Sequence, residues 1–335
     1  MHVLDMLVIG AGPAGLYAAY YAGFRGLSVG IMDSLPELGG QVSALYPEKL
    51  IFDVAGLPAI KGQDLVDALA EQAASADPSY FLGHRAEELH LADDHVTVTT
   101  DHKLVVQTRT VVITGGIGTF SPRPLACADG YEGGGLMYFV PRLDELAGLD
   151  VLIVGGGDSA FDWAMSLEPR CRSVVLVHRR TAFRAHQRTV QQVLDSSVRV
   201  LTPYEVAKIH GQETITAVDV VESSDGGRSE RLDVQAVVAA LGFIADLGPF
   251  TRWGLHQRKR QILVDPGMHT SLPRVFAAGD IVDYDGKVKL ISVGFGEAAT
   301  AVNNAAVVID PAAHVFPGHS TDPGHDARLA AAAQG

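Results

Sequence analysis

Two blocks of the chain run through short apolar stretches and helix-period stretches in the same order. Residues 4–9 (LDMLVI) form a largely apolar run ending at a glycine, the pattern of a buried strand. Residues 13–23 (PAGLYAAYYAG) read as a helix with Pro in its first turn, where the missing N–H leaves no bond unmade. Residues 27–32 read as a second strand. Residues 63–75 (QDLVDALAEQAAS) place Leu65, Ala68, Leu69 and Gln72 on helical spacing. Residues 95–114 then predict a short meander: HVTVTT, a turn at Asp101 and His102, KLVVQT, and TVVIT.

The pattern restarts at 151, with VLIV as a strand, GGG as a tight turn, DSAFDWAMSLE as a helix and SVVLVH as a second strand. Further strands are expected at 198–201, 215–221 and 234–240. This is a repeat at domain scale. Each unit closes on a buried run that ends in a glycine turn: VVITGG (111–116) and VVAALGF (237–243). A third block, PRVFAAGDI (273–281), has too few elements after it for a domain of its own. The tail is therefore expected to return to the first domain, giving 1–115 and 244–335 as one discontinuous domain and 116–243 as an insertion. The segment from about 311 to 335 is expected to be an extension of the first domain.

Composition narrows the class. The 335 residues allow two domains of ordinary size. A formal net charge of −13 argues against nucleic acid and against an anionic membrane surface. No stretch reaches the roughly 18 apolar residues of a membrane helix, and the N-terminus lacks a basic leader and reads as a first strand. The two cysteines, Cys127 and Cys171, form no Cys-x-x-Cys, and such sparse usage is expected of a reduced, cytoplasmic protein. His314, His319 and His325 are spaced five and six apart, which fits no metal motif, and no metal site is expected.

The chemistry lies in two glycine fingerprints. Gly10-Ala11-Gly12-Pro13-Ala14-Gly15 is G-x-G-x-x-G between a strand and a helix. The first glycine turns the chain, the second admits a pyrophosphate, and the third lets helix pack on strand. Asp33 closes the next strand, where a carboxylate can accept the ribose hydroxyls. Gly155-Gly156-Gly157-Asp158-Ser159-Ala160 repeats the arrangement as G-x-G-x-x-A. Its second strand ends on His178-Arg179-Arg180, with Arg184 following, and not on an acid. Guanidinium forks suit a 2′-phosphate, so this site predicts NADPH over NADH, while the acid-type site in the split domain suits FAD.

With these motifs in place the sequence resembles the thioredoxin reductase fold along essentially the whole chain, through VIGAGPAG, GGQ (39–41), TGG, GGGDSA, HRRTAFRAH and AAGD. Within that fold it is most similar to the bacterial thioredoxin-reductase-like ferredoxin–NADP⁺ reductases. SALYPEKLIFDVAGLP (43–58), GDIVDYDGKVKLISVGFGEAATAVNNA (279–305) and PGHST (317–321) carry that likeness. The resemblance implies an α/β fold of two Rossmann-like three-layer domains of the thioredoxin reductase and glutathione reductase type, with the NADPH domain inserted in the FAD domain. The activity implied is NADPH:ferredoxin or NADPH:flavodoxin oxidoreduction by a homodimer.

The resemblance also implies roles for residues. Gly40 and Gln41, with Asp33, would hold the adenosine and pyrophosphate side of FAD. Tyr46 would stack on one flavin face. Ala86, Gly115 and Phe120 would line the site, and Gly279 and Asp280 would meet the ribityl–phosphate region. Gly296, Glu297 and Ala298 would begin a helix aimed at the N1/O2 edge of the flavin. His319 would cover the other face from the partner subunit, with Ser320 and Thr321 beside it.

Thioredoxin reductases carry a redox-active Cys-x-x-Cys thirteen residues before the second fingerprint. Here that slot reads LMYFVPRL (136–143). A relay to a protein disulfide is therefore not expected, while direct reduction of a small disulfide or a quinone stays open. Docking of an acidic carrier calls for a local basic patch, with Arg123, Arg258, Lys259, Arg260, Lys287 and Lys289 as candidates.

Overall fold

The computed structural model describes residues 3–224 and 227–318. The chain divides into two compact units. Among the described residues, the first holds 3–44, 50–119 and 245–318, and the second holds 45–49 and 120–244. The stretches Thr119–Pro122 and Phe243–Asp246, where the chain passes from one unit to the other, pair as a two-stranded sheet.

In the first unit Leu4–Ile9 is a central strand. It pairs in parallel with Val29–Asp33 on one side and with Val105–Ile113 on the other, setting Leu7 opposite both Gly30 and Val111. Ser79–Leu82 extends the parallel layer past Val29–Asp33. Met6, Leu7 and Val8 are wholly buried, the environment that calls for a continuous apolar run.

Val105–Ile113 differs from expectation, because two strands predicted separately form one of nine residues. Its first half pairs antiparallel with Val96–Thr100, and Val111 to Ile113 pair in parallel with Val275–Ala277. Thr108-Arg109-Thr110 reads as a break in the sequence, yet its polar groups are satisfied inside. Thr108 Oγ1 donates to the Thr110 carbonyl, Thr110 Oγ1 to the Asp5 carbonyl (both 2.9 Å), and Arg109 to the Ile309 carbonyl at 2.7 Å. The outer strand of the meander is Ala86–Leu91, whose acidic Glu87 and Glu88 hide its alternation.

The Pro13–Phe24 helix packs against Gly62–Ala74 and against the long Ile291–Ile309 helix. The latter buries Gly294, Ala298, Ala301, Val302 and Ala305, a small-residue stripe that permits close helix approach.

The second unit is built on a five-stranded parallel sheet in the order Leu136–Met137, Ala236–Ala239, Asp150–Val154, Ser173–Val177, Arg199–Leu201. A three-stranded antiparallel sheet, Tyr204–His210, Ala217–Glu222 and Ser229–Leu232, accompanies it. Only its middle strand was legible in the sequence. Residues 45–49, expected to continue the first domain, group with the second unit. The reason is polar: Lys49 Nζ lies 2.5 Å from the Asp162 carboxylate, and Glu48 accepts the Leu143 N–H at 2.8 Å.

Candidate functional site

The first fingerprint is a turn that only its glycines allow. Gly10 has φ +117°, and a Cβ there would lie 2.6 Å from the Thr114 carbonyl carbon and oxygen. A Cβ on Gly15 would fall 1.8 Å from the Gly10 oxygen. Thr114 Oγ1 donates to that same oxygen at 2.8 Å, pinning the turn to the end of Val105–Ile113. Gly12 is different. Its backbone is ordinary (φ −74°, ψ −177°), and a Cβ would meet nothing nearer than the Gly39 oxygen at 3.9 Å. The helix beginning at Pro13 has no side-chain cap and no acid in its first turn. The side of Gly12 where a Cβ would stand is therefore open, at a helix N-terminus, an arrangement that favours an anion.

Asp33 secures the loop. One carboxylate oxygen accepts the Ala11 N–H at 2.6 Å and the other the Leu35 N–H at 2.8 Å. Burial pushes its carboxyl above the ordinary range, against the pull of these hydrogen bonds. The Gly39 N–H reaches the Ala11 carbonyl at 2.8 Å, and a Cβ on Gly40 would stand 3.1 Å from Gly12 Cα. The Gln41 amide lies where a Gly116 side chain would go, and Gly115 faces Phe250 and Ile281. Ala86 is buried in the core cluster beneath.

From the far end of the chain, Gly279 (φ +85°) approaches Ala14, and Gly294 packs between Gly279 Cα and Ala14 Cβ. Asp280 follows Gly279 at the corner, its carboxyl raised by burial. Within the first unit Gly40 thus comes beside Gly12, Gln41 beside Gly116, Gly115 beside Ile281, and Gly279 beside Ala14. Gly296 has open space at its Cβ position, and Ala298 is wholly buried against the core.

Glu297, expected in the cofactor set, has a buried carboxylate that accepts from three protein donors: the Gly279 N–H at 2.8 Å, the Tyr284 hydroxyl at 2.6 Å and Lys287 Nζ at 2.5 Å. Lys287, a candidate for carrier docking, is only 4% exposed in that pair and is no surface cation. Arg258, another candidate, is engaged by Asp283 and Asp285. The sequence carries no signal for the buried Lys287, since nothing in KVK distinguishes one lysine from the other.

Tyr46 groups with the second unit, packed against the cluster that contains Val140, Leu143 and Leu146. The Phe120 side chain, His319, Ser320 and Thr321 lie outside the described residues.

The second fingerprint repeats the design. A Cβ on Gly155 would strike the Ala240 oxygen at 2.5 Å, whereas one on Gly157 would meet nothing within 4 Å. Gly157 precedes the Asp158–Leu167 helix, and Ala160 is buried beneath it. The His178–His186 segment folds back onto this turn. The Arg184 N–H donates to the Gly156 carbonyl and the His186 N–H to the Asp158 carboxylate, both at 2.8 Å. The His178 ring fills the space over Gly156. Phe183 packs edge-on against Phe161 at 4.8 Å and anchors the segment from below. Burial, then Arg179, Arg180 and Arg184, hold the His178 imidazole below its usual range. Arg179, Arg180 and Arg184 are exposed, as are Asp158 and Ser159. Three guanidinium groups with no acid at the strand end make a concentrated cationic rim beside a helix N-terminus.

Comparison with known proteins agrees with this geometry. Residues 4–305 match the pyridine nucleotide-disulphide oxidoreductase family model. The chain is 61% identical over 319 residues to the ferredoxin–NADP reductase of Frankia casuarinae, covering 95% of this chain and 99% of that one. It is 60% identical over 323 residues to the ferredoxin–NADP reductase of a Nocardioides species, covering 95% and 97%. Among solved structures it is similar to the thioredoxin reductase of T. acidophilum (TM-score 0.80, 24% identity, 91% and 98% covered). It is also similar to that of Lactococcus lactis (0.79, 22%, 91% and 99%). The fold is therefore of the thioredoxin reductase type, with two Rossmann-like units.

Proposed function

Because the chain belongs to the pyridine nucleotide-disulphide oxidoreductase family, we propose that it is an FAD-dependent ferredoxin–NADP⁺ reductase, exchanging electrons between NADPH and ferredoxin or flavodoxin. The observation that carries this reading is the pairing of two dinucleotide turns with opposite ribose chemistry, Asp33 at one and Arg179, Arg180 and Arg184 at the other. The discontinuous domain, 1–115 with 244–335, holds FAD, and the inserted domain, 116–243, holds NADPH.

FAD, when bound, accepts a hydride and passes electrons on singly. The protein's part is position and field. Gly12, Pro13, Ala14 and Gly15 offer backbone to the pyrophosphate, and Asp33 takes the ribose. Gly40, Gln41, Gly115 and Gly279 shape the walls, and Asp280 meets the ribityl–phosphate region. The helix expected to begin at Gly296 begins at Ile291, and its N-terminus would direct a helix dipole at the flavin. On the inserted domain Gly155 to Ala160 hold the NADPH pyrophosphate, with the 2′-phosphate taken by Arg179, Arg180, Arg184 and His178. Tyr46 and His319 would cover the two flavin faces, Phe120 would line the site, and Ser320 and Thr321 would stand beside His319. In this reading the protein is a cytoplasmic homodimer, with His319 supplied by the partner subunit. No helix among the described residues is long and apolar enough to cross a membrane.

The test is a panel of acceptors supplied to purified protein with NADPH or NADH. Ferredoxin or flavodoxin should be reduced with NADPH well ahead of NADH. A colourless protein, or turnover confined to thioredoxin or small disulfides, would overturn the reading.

A further inference from the structure

Glu297 and Lys287 form an ion pair that is nearly sealed from water, each side chain 4% exposed. A lone buried charge is costly, and a buried pair persists only with its remaining hydrogen bonds met. Here they are met by specific partners. Glu297 accepts from Lys287, from the Tyr284 hydroxyl and from the Gly279 N–H. Lys287 also lies 5.7 Å from the centre of the Tyr284 ring.

The pair spans two elements. Glu297 sits in the second turn of Ile291–Ile309, while Gly279 opens the corner that carries Asp280. That corner is close-set. Gly279 has φ +85°, its Cβ position is 3.3 Å from Ala14, and Gly294 closes on it from the helix side. The Glu297 carboxylate thus holds the Gly279 N–H, next in the chain to Asp280. Asp280 also feels both charges, Lys287 favouring its carboxylate and Glu297 opposing it.

We propose that Glu297, Lys287 and Tyr284 are a positioning set for the FAD site. The pair locks the Gly279–Asp280 corner to the last helix and, by cancelling its own charge, leaves the helix N-terminus as the field the flavin meets. The inference rests on the FAD assignment above. It assigns Glu297 an indirect role, because its carboxylate is buried and turned toward donors of the protein.

A merely structural pair and a charge-balanced one differ in sign. Uncovering the lysine should favour a reduced, more negative flavin, and uncovering the carboxylate should disfavour it. The experiment is spectroelectrochemical titration of the bound FAD in the holoenzyme and in the variants Glu297→Gln, Lys287→Met, Lys287→Arg and the Gln/Met double. Glu297→Gln should raise the midpoint potential and Lys287→Met lower it, each by at least about tenfold in the two-electron equilibrium, roughly 30 mV. The double variant and Lys287→Arg should stay within about threefold of the parent protein, roughly 15 mV by the same conversion.

Singles that move together, or a potential unchanged in all variants with FAD bound, overturn the proposal. Where a single variant purifies without FAD, Lys287→Arg decides. Full FAD content in it supports the charge-based role, and loss in it as well shows that packing alone matters and overturns the proposal. A parent protein that holds no FAD sinks the assignment of the site itself. A parent holoenzyme with charge-insensitive variants sinks only this inference.

Discussion

Gly12 and Gly15 separate what the fingerprint does for the fold from what it does for a ligand. At Gly15 an alanine Cβ would sit 1.8 Å from the Gly10 oxygen and 2.7 Å from Thr114 Oγ1. The Gly10 oxygen is a backbone atom, so the backbone must yield. Overpacking of this kind costs about 1–3 kcal/mol or more, and Gly15→Ala should fall at or above the top of that range with or without cofactor. At Gly12 the same methyl has its nearest neighbour at 3.9 Å, and φ −74° suits any residue. Alanine there gains about 0.4–1 kcal/mol by restricting the unfolded chain. It loses about as much because glycine is the better N-cap. The apoprotein should change by less than about 0.5 kcal/mol, the residue of those two terms. If the pyrophosphate rests against Gly12, however, the methyl occupies its place. The stabilisation that saturating FAD provides, about 2.7 kcal/mol at one hundred times Kd, should then vanish from Gly12→Ala. Thermal unfolding with and without added FAD, together with flavin absorbance after desalting, reads both quantities. A Gly12→Ala protein that keeps a full complement of FAD would refute the placement of the pyrophosphate. A Gly12→Ala apoprotein as unstable as Gly15→Ala would refute the packing argument.

Three further outcomes are expected. Replacing Arg179 and Arg180 with alanine should lower kcat/KM for NADPH by about 10–100-fold through loss of charge-assisted hydrogen bonds, leaving NADH little changed; equal losses for both nucleotides would deny these residues a role at the 2′-phosphate. Burial and the bond to Glu297 push the Tyr284 hydroxyl up to about 12, so its contribution is complete below its ordinary value near 10 and lost as pH rises toward 12; Tyr284→Phe should flatten that alkaline limb in denaturation followed by circular dichroism. Cys127→Ser with Cys171→Ser should leave NADPH-driven reduction of ferredoxin within about twofold of the parent rate, since neither thiol is activated; a loss beyond tenfold would reopen a thiol relay.

Much of the architecture was legible because buried parallel strands write their environment into the sequence. LDMLVI and VLIV are apolar runs bounded by glycine, and both are central strands. The return of the tail was legible from the shortage of elements after AAGD, and Val275–Ala277 does pair with Val111 to Ile113. What failed to show was polarity satisfied at a distance. Thr108-Arg109-Thr110 looked like a break because its partners, Asp5 and Ile309, are remote in sequence. The buried state of Lys287 depends on Glu297, ten residues on, and no local pattern announces it. The grouping of Tyr46 with the second unit likewise follows from Glu48 and Lys49 finding Leu143 and Asp162. Apolar periodicity predicts which face is covered, whereas pairings of individual polar groups arise only once the chain has folded.

The segment LMYFVPRL draws these threads together. In the structure Leu136–Met137 is the edge strand of the second unit's parallel sheet, held by Val237 and Val238. Tyr138 packs into the cluster around Leu125, and Val140 is wholly buried in the neighbouring one. Packing side chains occupy the slot in place of a redox pair. Cys127 and Cys171 do not substitute for one. Cys127 Sγ donates to the Val206 carbonyl, Cys171 Sγ to the Leu146 carbonyl, and burial pushes both thiols above their usual range. A thiol relay requires a nucleophilic thiolate with a resolving partner, and this chain offers neither. An acceptor must therefore meet the cofactor directly. That favours a small one-electron carrier over a protein disulfide.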